Sequence, residues 1–278
     1  MPFSIRTNVG SLDAQRNLFN TSNSLNDSFA KLSSGYRITK AGDDAAGLGI
    51  SVNLESQMRS FNQANRNAQD AQSVVATAEA NLNQTTELLT RMRELAMQSA
   101  SSGVGDTERA YIQTENAACI SEIDRISNAA EFNGQALLNG VAATPLTFQI
   151  GIRNVAANDQ IQINTVDATA TTLGVAGINL GSGNQVAAGA ALSTIDAALQ
   201  AVSTARASFG ASGNRLNSVI QTIQQSSESL AGANSRIRDV DVAEETSKMA
   251  RTQVMQQAGV SVLAQANQAP QLALKLLQ

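Results

Sequence analysis

The sequence predicts a mainly α protein: a long coiled-coil-like helical bundle rod, a small β-hairpin region in the middle of the chain, and terminal helices forming a second coiled-coil domain. Three observations carry this. From Ile195, every seventh residue through Val202, Phe209, Leu216, Ile223, Leu230 and Ile237 is large and apolar. A period of seven held that long returns each side chain to one helical seam. A second series, Leu54, Phe61, Ala68, Val75, Leu82, Leu89 and Ala96, lies near the other end. Prolines stand only at positions 2, 145 and 270, which leaves two long spans free of the main helix breaker.

Taken in order, Ile5, Leu12 and Phe19 are seven apart, and Leu18, Leu25 and Leu32 continue in a shifted register with Phe29 beside them. This predicts an amphipathic helix from about residue 4 to Ser34, stopped by Gly35. From Tyr36 to Ile50 glycines recur and the periodicity is lost, which predicts an irregular connector. Asp43 and Asp44 within it are too few to hold a cation and suit turn or cap duty. The first rod helix is expected from about Leu54 to Ser101, ended by Gly103 and Gly105. Asp106 is positioned to cap a shorter helix whose seam is Ile112, Cys119 and Ile126.

Around Glu131-Phe132-Asn133-Gly134 the pattern changes to strand and turn. Phe148 and Ile150, then Ile161 and Ile163, alternate with polar residues as half-buried strands do, with Asn158-Asp159 as the turn between them. Gly181-Ser182-Gly183-Asn184 reads as a loop before the second rod helix, too bare to cradle a phosphate. Asp241 with Glu244 resembles a capping box that opens a last helix. Val254, Val262, Leu263, Leu272, Leu274 and Leu276 lie on it, and Pro270 is expected to interrupt or kink it. The expected domains are residues 1–45 with 238–278 (terminal coiled coil and connector) and 46–237 (rod, with the β region at about 131–180).

Composition narrows function. Charged residues make up only 15% of the chain, against about 25% in a typical soluble protein. Small uncharged groups take their place, and these cost less to desolvate when surfaces close-pack. The net charge is −4 with no basic cluster, so neither nucleic acid nor an anionic membrane is implied as a partner. Histidine is absent and Cys119 is the only cysteine. The commonest metal ligand and general base is therefore missing, and no internal disulfide can form. No cofactor, metal site or catalytic group is expected, and an enzyme is the weakest of the function classes. Cys119 sits on an apolar heptad position and reads as a small buried hydrophobe. No run of 18 apolar residues suggests a membrane span, and the first residues lack the apolar stretch of a secretory signal.

Several motifs then carry a resemblance. Leu32-Ser-Ser-Gly35-Tyr-Arg37-Ile38, Asp43-Asp44-Ala-Ala-Gly47, Leu89-Thr-Arg-Met-Arg-Glu-Leu-Ala96 and Glu131-Phe-Asn-Gly134 resemble the N-terminal region of bacterial flagellins. Ser235-Arg-Ile-Arg-Asp-Val-Asp241 and Gln256-Gln-Ala-Gly-Val-Ser-Val-Leu-Ala-Gln-Ala-Asn-Gln268 resemble the family's closing helix. The resemblance covers roughly residues 1–140 and 190–278 and implies a short flagellin without large outer domains. It implies a structural subunit of the flagellar filament that assembles with itself through its paired termini. The polymerisation seam would be Ile5, Leu12, Leu18, Leu25, Phe29 and Leu32 with Val262, Leu263, Leu272 and Leu276. The implied location is extracellular, reached by export without a cleaved signal peptide, and the implied partners are an export chaperone and the hook-junction and cap proteins. A vertebrate Toll-like receptor is a further partner, through Arg91, Leu95 and Glu115. The competing reading is a hook–filament junction or adaptor protein, which would use the same helices to bind unlike subunits.

Overall fold

The structure, a computed structural model, describes residues 7–140, 145–181 and 185–275, with side chains as far as Gln268. Six helices and four short strands follow one another among the described residues: α1 (Val9–Ser34), α2 (Ala45–Ser99), α3 (Asp106–Ala129), β1 (Glu131–Phe132), β2 (Gln135–Ala136), β3 (Leu146–Gln149), α4 (Ala156–Asp159), β4 (Gln160–Ile163), α5 (Gln185–Arg238) and α6 (Val242–Lys275). The chain divides into two compact units, Met1–Met58 with Glu228–Gln278, and Arg59–Ser227. The division runs through α2 and α5, whereas the sequence reading put it near their ends.

In the first unit, α1 begins at Val9 and not near residue 4, because Asn8 caps it by accepting from the Ser11 N–H. It ends at Gly35, whose φ of 74° is left-handed and whose N–H returns to the Lys31 carbonyl. The connector is shorter than the periodicity suggested. Asp44 Oδ1 accepts from Gly47 N at 2.8 Å and α2 starts at Ala45, nine residues before the expected Leu54. Gly47 and Gly49 do not break it; at 47 an added Cβ would lie 2.9 Å from Ile38 Cδ1, so the small residue lets the connector pack on the helix. Asp43 gathers the Thr39 and Lys40 N–H groups and the Thr39 hydroxyl, each at 3.0 Å. The backbone N–H of Thr39, then that of Lys40, draws its carboxyl from the usual 3.8 to about 2. Both aspartates thus serve the turn and the cap.

The two connectors of this unit are stitched together. Arg37 N donates to Arg238 O at 2.6 Å, Val240 N to Gly35 O at 3.0 Å, and Arg37 Nη2 to Ile237 O at 2.6 Å. Tyr36 and Asp239 form an antiparallel bridge. The last carbonyls of α5, which have no partner within the helix, are satisfied by the other connector. The Arg238 guanidinium stacks 4.3 Å over the Tyr36 ring and pairs with Glu55 at 3.4 Å. Asp241 then caps α6, accepting from Ala243 N at 2.9 Å and Glu244 N at 3.2 Å. Helix α6 continues through Pro270 to Lys275. A proline there leaves the carbonyl four residues back without its helical donor, and that carbonyl, on Ala266, accepts from Asn8 Nδ2 at 2.8 Å.

In the second unit the heptad series meet. Leu82, Leu89, Met92 and Leu95 of α2, Ile112, Cys119 and Ile123 of α3, and Ile195, Val202, Phe209 and Leu216 of α5 form one buried cluster. By length and composition α5 could cross a bilayer, but its stripe is spent on this core and it carries Asp196, Arg206 and Arg215. The strands pair as two hairpins. Asn133 and Gly134, both with positive φ (49° and 76°), make the two-residue turn between β1 and β2, as the twist of a hairpin requires. Leu146 faces Ile163 across β3 and β4, with Ile161 and Ile163 buried and Gln162 exposed. Asn158 and Asp159 belong to the single helical turn α4, not a simple two-residue turn, because Val155 O takes both of their N–H groups.

Beyond Ile163 the expected β region gives way to an irregular strap tied by side chains. Ser127 Oγ donates to Ala168 O at 2.7 Å, Asn116 Nδ2 to Ile178 O at 3.2 Å, and Ser99 Oγ to Leu180 O at 2.7 Å. In return Asp124 and Gln113 accept from Ala170 N and Leu180 N. The reading of 182–184 as a loop lies outside the described residues. At the α2–α3 turn Asp106 is the first helical residue, and the capping position falls on Gly105. The buried Arg109 does the closing work, donating to the carbonyls of Ser99, Ser101 and Val104. If it is removed, the carbonyls of Ser99 and Val104 lose this donor and that of Ser101 keeps only the long bond from Val104 N at 3.4 Å. Arg109→Ala is therefore expected to destabilise the protein by about 2–4 kcal/mol, read as a shift in the denaturation midpoint, with Arg109→Lys recovering only part because lysine lacks the planar fork.

Candidate functional site

The first candidate surface is the α1–α6 pair. The helices run antiparallel: Asn8 bonds Ala266, Ser11 Oγ donates to Asn267 Oδ1 at 2.8 Å, and Leu18 lies against Gly259. Between them the fully buried residues are Ser11, Ser28, Glu245 and Thr252. Leu18, Leu25, Leu32 and Leu263 are half-buried. Leu12 (56% exposed), Phe29 (52%) and Val262 (57%) face outward, as do Phe19 (67%) and Val254 (65%).

The sequence-predicted seam therefore splits in two. The set Leu18, Leu25 and Leu32 turns to α6, while Leu12 and Phe19, of the other register, do not. Small and polar residues on the contact line let the backbones approach, so one stripe per helix suffices and the second is left over. Ile5 and Leu276 lie outside the described residues, as does the side chain of Leu272. The signal that sequence reading missed is the small-residue line itself, Ser11 and Ser28 against Thr252 and Gly259, which carries no hydrophobic period.

The second candidate surface is charged. Arg91 Nε and Nη2 lie 2.8 and 2.7 Å from Glu115 Oε1, and Nη1 lies 2.9 Å from Glu94 Oε2. Both carboxylates, Glu94 first and then Glu115, hold the guanidinium more firmly protonated than usual. Arg91 and Glu115 are each about half exposed, so they share one accessible face. Leu95 does not join them: it is 1% exposed and belongs to the core, because it falls on the α2 stripe with Met92. Glu94 was not singled out from sequence, although its i,i+3 spacing from Arg91 is the usual reach of a helix ion pair. One turn beyond Glu115, Cys119 is buried, and burial, then the Glu115 charge, pushes its thiol upward.

Residues 5–143 match the bacterial flagellin N-terminal helical region, and residues 192–277 match the bacterial flagellin C-terminal helical region. The chain belongs to the bacterial flagellin family. Among its relatives, the flagellar filament 33 kDa core protein of Treponema phagedenis is 39% identical over 99% of both chains. The crystal structure of Bacillus cereus flagellin superposes with a TM-score of 0.51 at 28% identity, over 57% of this chain and 88% of that one. A putative flagellar hook-associated protein from Vibrio parahaemolyticus shares the fold at 17% identity (TM-score 0.61, 71% and 100% covered), a likeness of architecture alone.

As a short flagellin, without large outer domains, the protein is a structural subunit of the flagellar filament, an extracellular polymer. The junction or adaptor reading gains no support from the relatives. The Arg91 cluster, exposed and solvent-screened, contributes little to holding this flagellin together. Arg91→Ala and Glu115→Ala, singly and together, are expected to move the melting temperature by less than about 3 °C, and a larger drop would make the pair a structural tie.

Proposed function

We propose that the flagellin polymerises through its α1–α6 pair, with residues 1–45 and 238–278 forming the inner layer of the filament and 46–237 the layer outside it. The carrying observation is the outward apolar residues on both helices, Leu12, Phe19 and Phe29 with Val254 and Val262. A helix pair with only a thin apolar contact is weakly stable alone and gains by covering such residues with neighbouring copies. The role is structural and not catalytic, in keeping with a structural family. By resemblance, the subunit leaves the cell through the flagellar export path without a cleaved signal peptide, and it meets an export chaperone and the cap and hook-junction proteins on the way.

Removal of residues 1–34 or 242–278 is expected to abolish polymers while the core around Leu82 and Leu89 stays folded, checked by electron microscopy and circular dichroism. In the free subunit, amide exchange should be fast before about residue 45 and after about residue 240 and slow between Leu54 and Ala96. Normal filaments from either truncation would refute the assignment.

Resemblance also points to a vertebrate Toll-like receptor as a partner of the free subunit. The face on offer is Arg91 with Glu115, while buried Leu95 serves only to seat α2. Arg91→Ala is expected to weaken receptor activation at least about fivefold with unchanged folding. A reporter-cell assay with equal activation by parent and variant, or none by the parent, would remove the receptor from the partners.

A further inference from the structure

The second unit carries a groove of about 590 Å³, apart from both surfaces described above, with α2 as one wall and the two hairpins as the others. We infer that it is a docking site for an extended peptide segment of another protein, which adds as a strand to the open edge of β3 and sets an arginine against Asp70.

The strand edge comes first. β3 and β4 make a sheet of two strands, so β3 is paired on one side only. Leu146, Thr147 and Phe148 all line the groove. Successive strand residues point to opposite faces, and a groove touched by three in a row therefore runs along the edge of the strand. Among the described residues, no backbone group of these three bonds to anything but β4. A row of unpaired N–H and C=O groups is a template for a further strand, and strand addition to such an edge is a general mode of peptide recognition. Native edges are commonly blunted by lysine or proline; Leu146 to Gln149 carry neither.

Charge then selects the segment. Of the lining residues only Asp70 is charged. It is exposed, and among the described residues it makes no hydrogen bond or ion pair. Arg66, one turn earlier on α2, does not answer it: its Nε and Nη2 donate to Gln63 Oε1 at 3.2 and 2.5 Å. The groove is also lined by Phe132 and Phe148, which rest half-buried on the core. A free carboxylate in a groove with phenyl rings fits a guanidinium, which is planar, weakly hydrated and stacks on aromatic faces. An acidic or uncharged segment would leave Asp70 unanswered. A free organic cation would answer it but leave the edge of β3 unpaired, so a peptide that brings both backbone and arginine is the occupant that uses the whole groove.

The test titrates the acetylated and amidated peptide Thr-Val-Arg-Val-Thr into the full-length subunit by isothermal calorimetry. Saturable binding with a Kd on the order of 0.1–1 mM is expected. Asp70→Asn, at an exposed position, is expected to weaken it at least about threefold. The peptide with glutamine in place of arginine should show the same loss on the unaltered protein, which keeps the question open to decision if Asp70→Asn changes the circular dichroism. Methylation of the peptide's backbone nitrogens removes the donors a strand needs and is expected to weaken binding at least about tenfold. Absence of saturable binding, or equal binding of the arginine and glutamine peptides, would overturn the site. Equal binding of the methylated peptide, or of arginine amide alone, would overturn strand addition as the mode and the peptide as the occupant.

Discussion

What α1 and α6 place between themselves governs much of the rest. Two helices can approach closely where their facing residues are small, and Ser11, Ser28, Thr252 and Gly259 allow that here. The gain is a narrow, partly polar contact with hydroxyls and one carboxylate, that of Glu245, buried in it. The consequence is geometric. A narrow contact line can absorb only one apolar stripe per helix, so side chains as large as Phe19 are excluded from it whatever their hydrophobicity. Burial of a phenylalanine or valine stabilises by roughly 1.5–3 kcal/mol, and the isolated chain forgoes most of that for several residues.

The second unit obeys the opposite rule. Its stripes on α2, α3 and α5 are spent on each other, and the irregular strap from Thr165 to Gly181 closes the remaining side. That strap folds on backbone bonds of its own, such as Val175 N to Ala170 O, and pairs with Leu137 and Leu138, but the carbonyls of Ala168, Ile178 and Leu180 are met by side chains. Ser99, Asn116 and Ser127 meet it from buried positions, which explains polar residues in the middle of otherwise apolar seams. Arg109 answers the same need at the end of α2. Among the described residues of this unit the exposed large apolar side chains, Met97, Tyr111, Val155 and Val186, are scattered along the chain.

Sequence legibility follows this division. The α2 and α5 heptads were readable because large residues repeat and because burial there is mostly apolar. The hairpin at Asn133-Gly134 was readable because only such a pair tolerates two positive φ values cheaply. The start of α2 was not, since Gly47 and Gly49 imitate a breaker while Asp44 supplies the cap and Ile38 needs the space over Gly47. Pro270 misled for a related reason: its penalty is local, but the donor that relieves it, Asn8, is 258 residues in the chain from the freed Ala266 carbonyl. The strap and Arg109 left no periodic trace because they act through hydrogen bonds, and hydrogen bonds have no repeat to detect. For the receptor-type face, the motif brought Arg91 and Glu115 together but carried Leu95 along, and only burial separates a residue that is touched from one that is merely adjacent.

Within the first unit the joined connectors add a further constraint. Arg37 and Gly35 of one connector bond Ile237, Arg238 and Val240 of the other, and Arg238 reaches both Tyr36 and Glu55. Each of these contacts requires both ends of the chain, separated by about 200 residues, to be in place together. Ordering one terminal helix without the other leaves the last carbonyls of α5 open and Tyr36 uncovered. The two termini therefore gain order as a pair or not at all, which is a cooperative requirement on a contact that is itself thin. A surface that forms in one step, and that still has apolar ridges to cover once formed, suits growth by addition of whole subunits over gradual accretion of single helices.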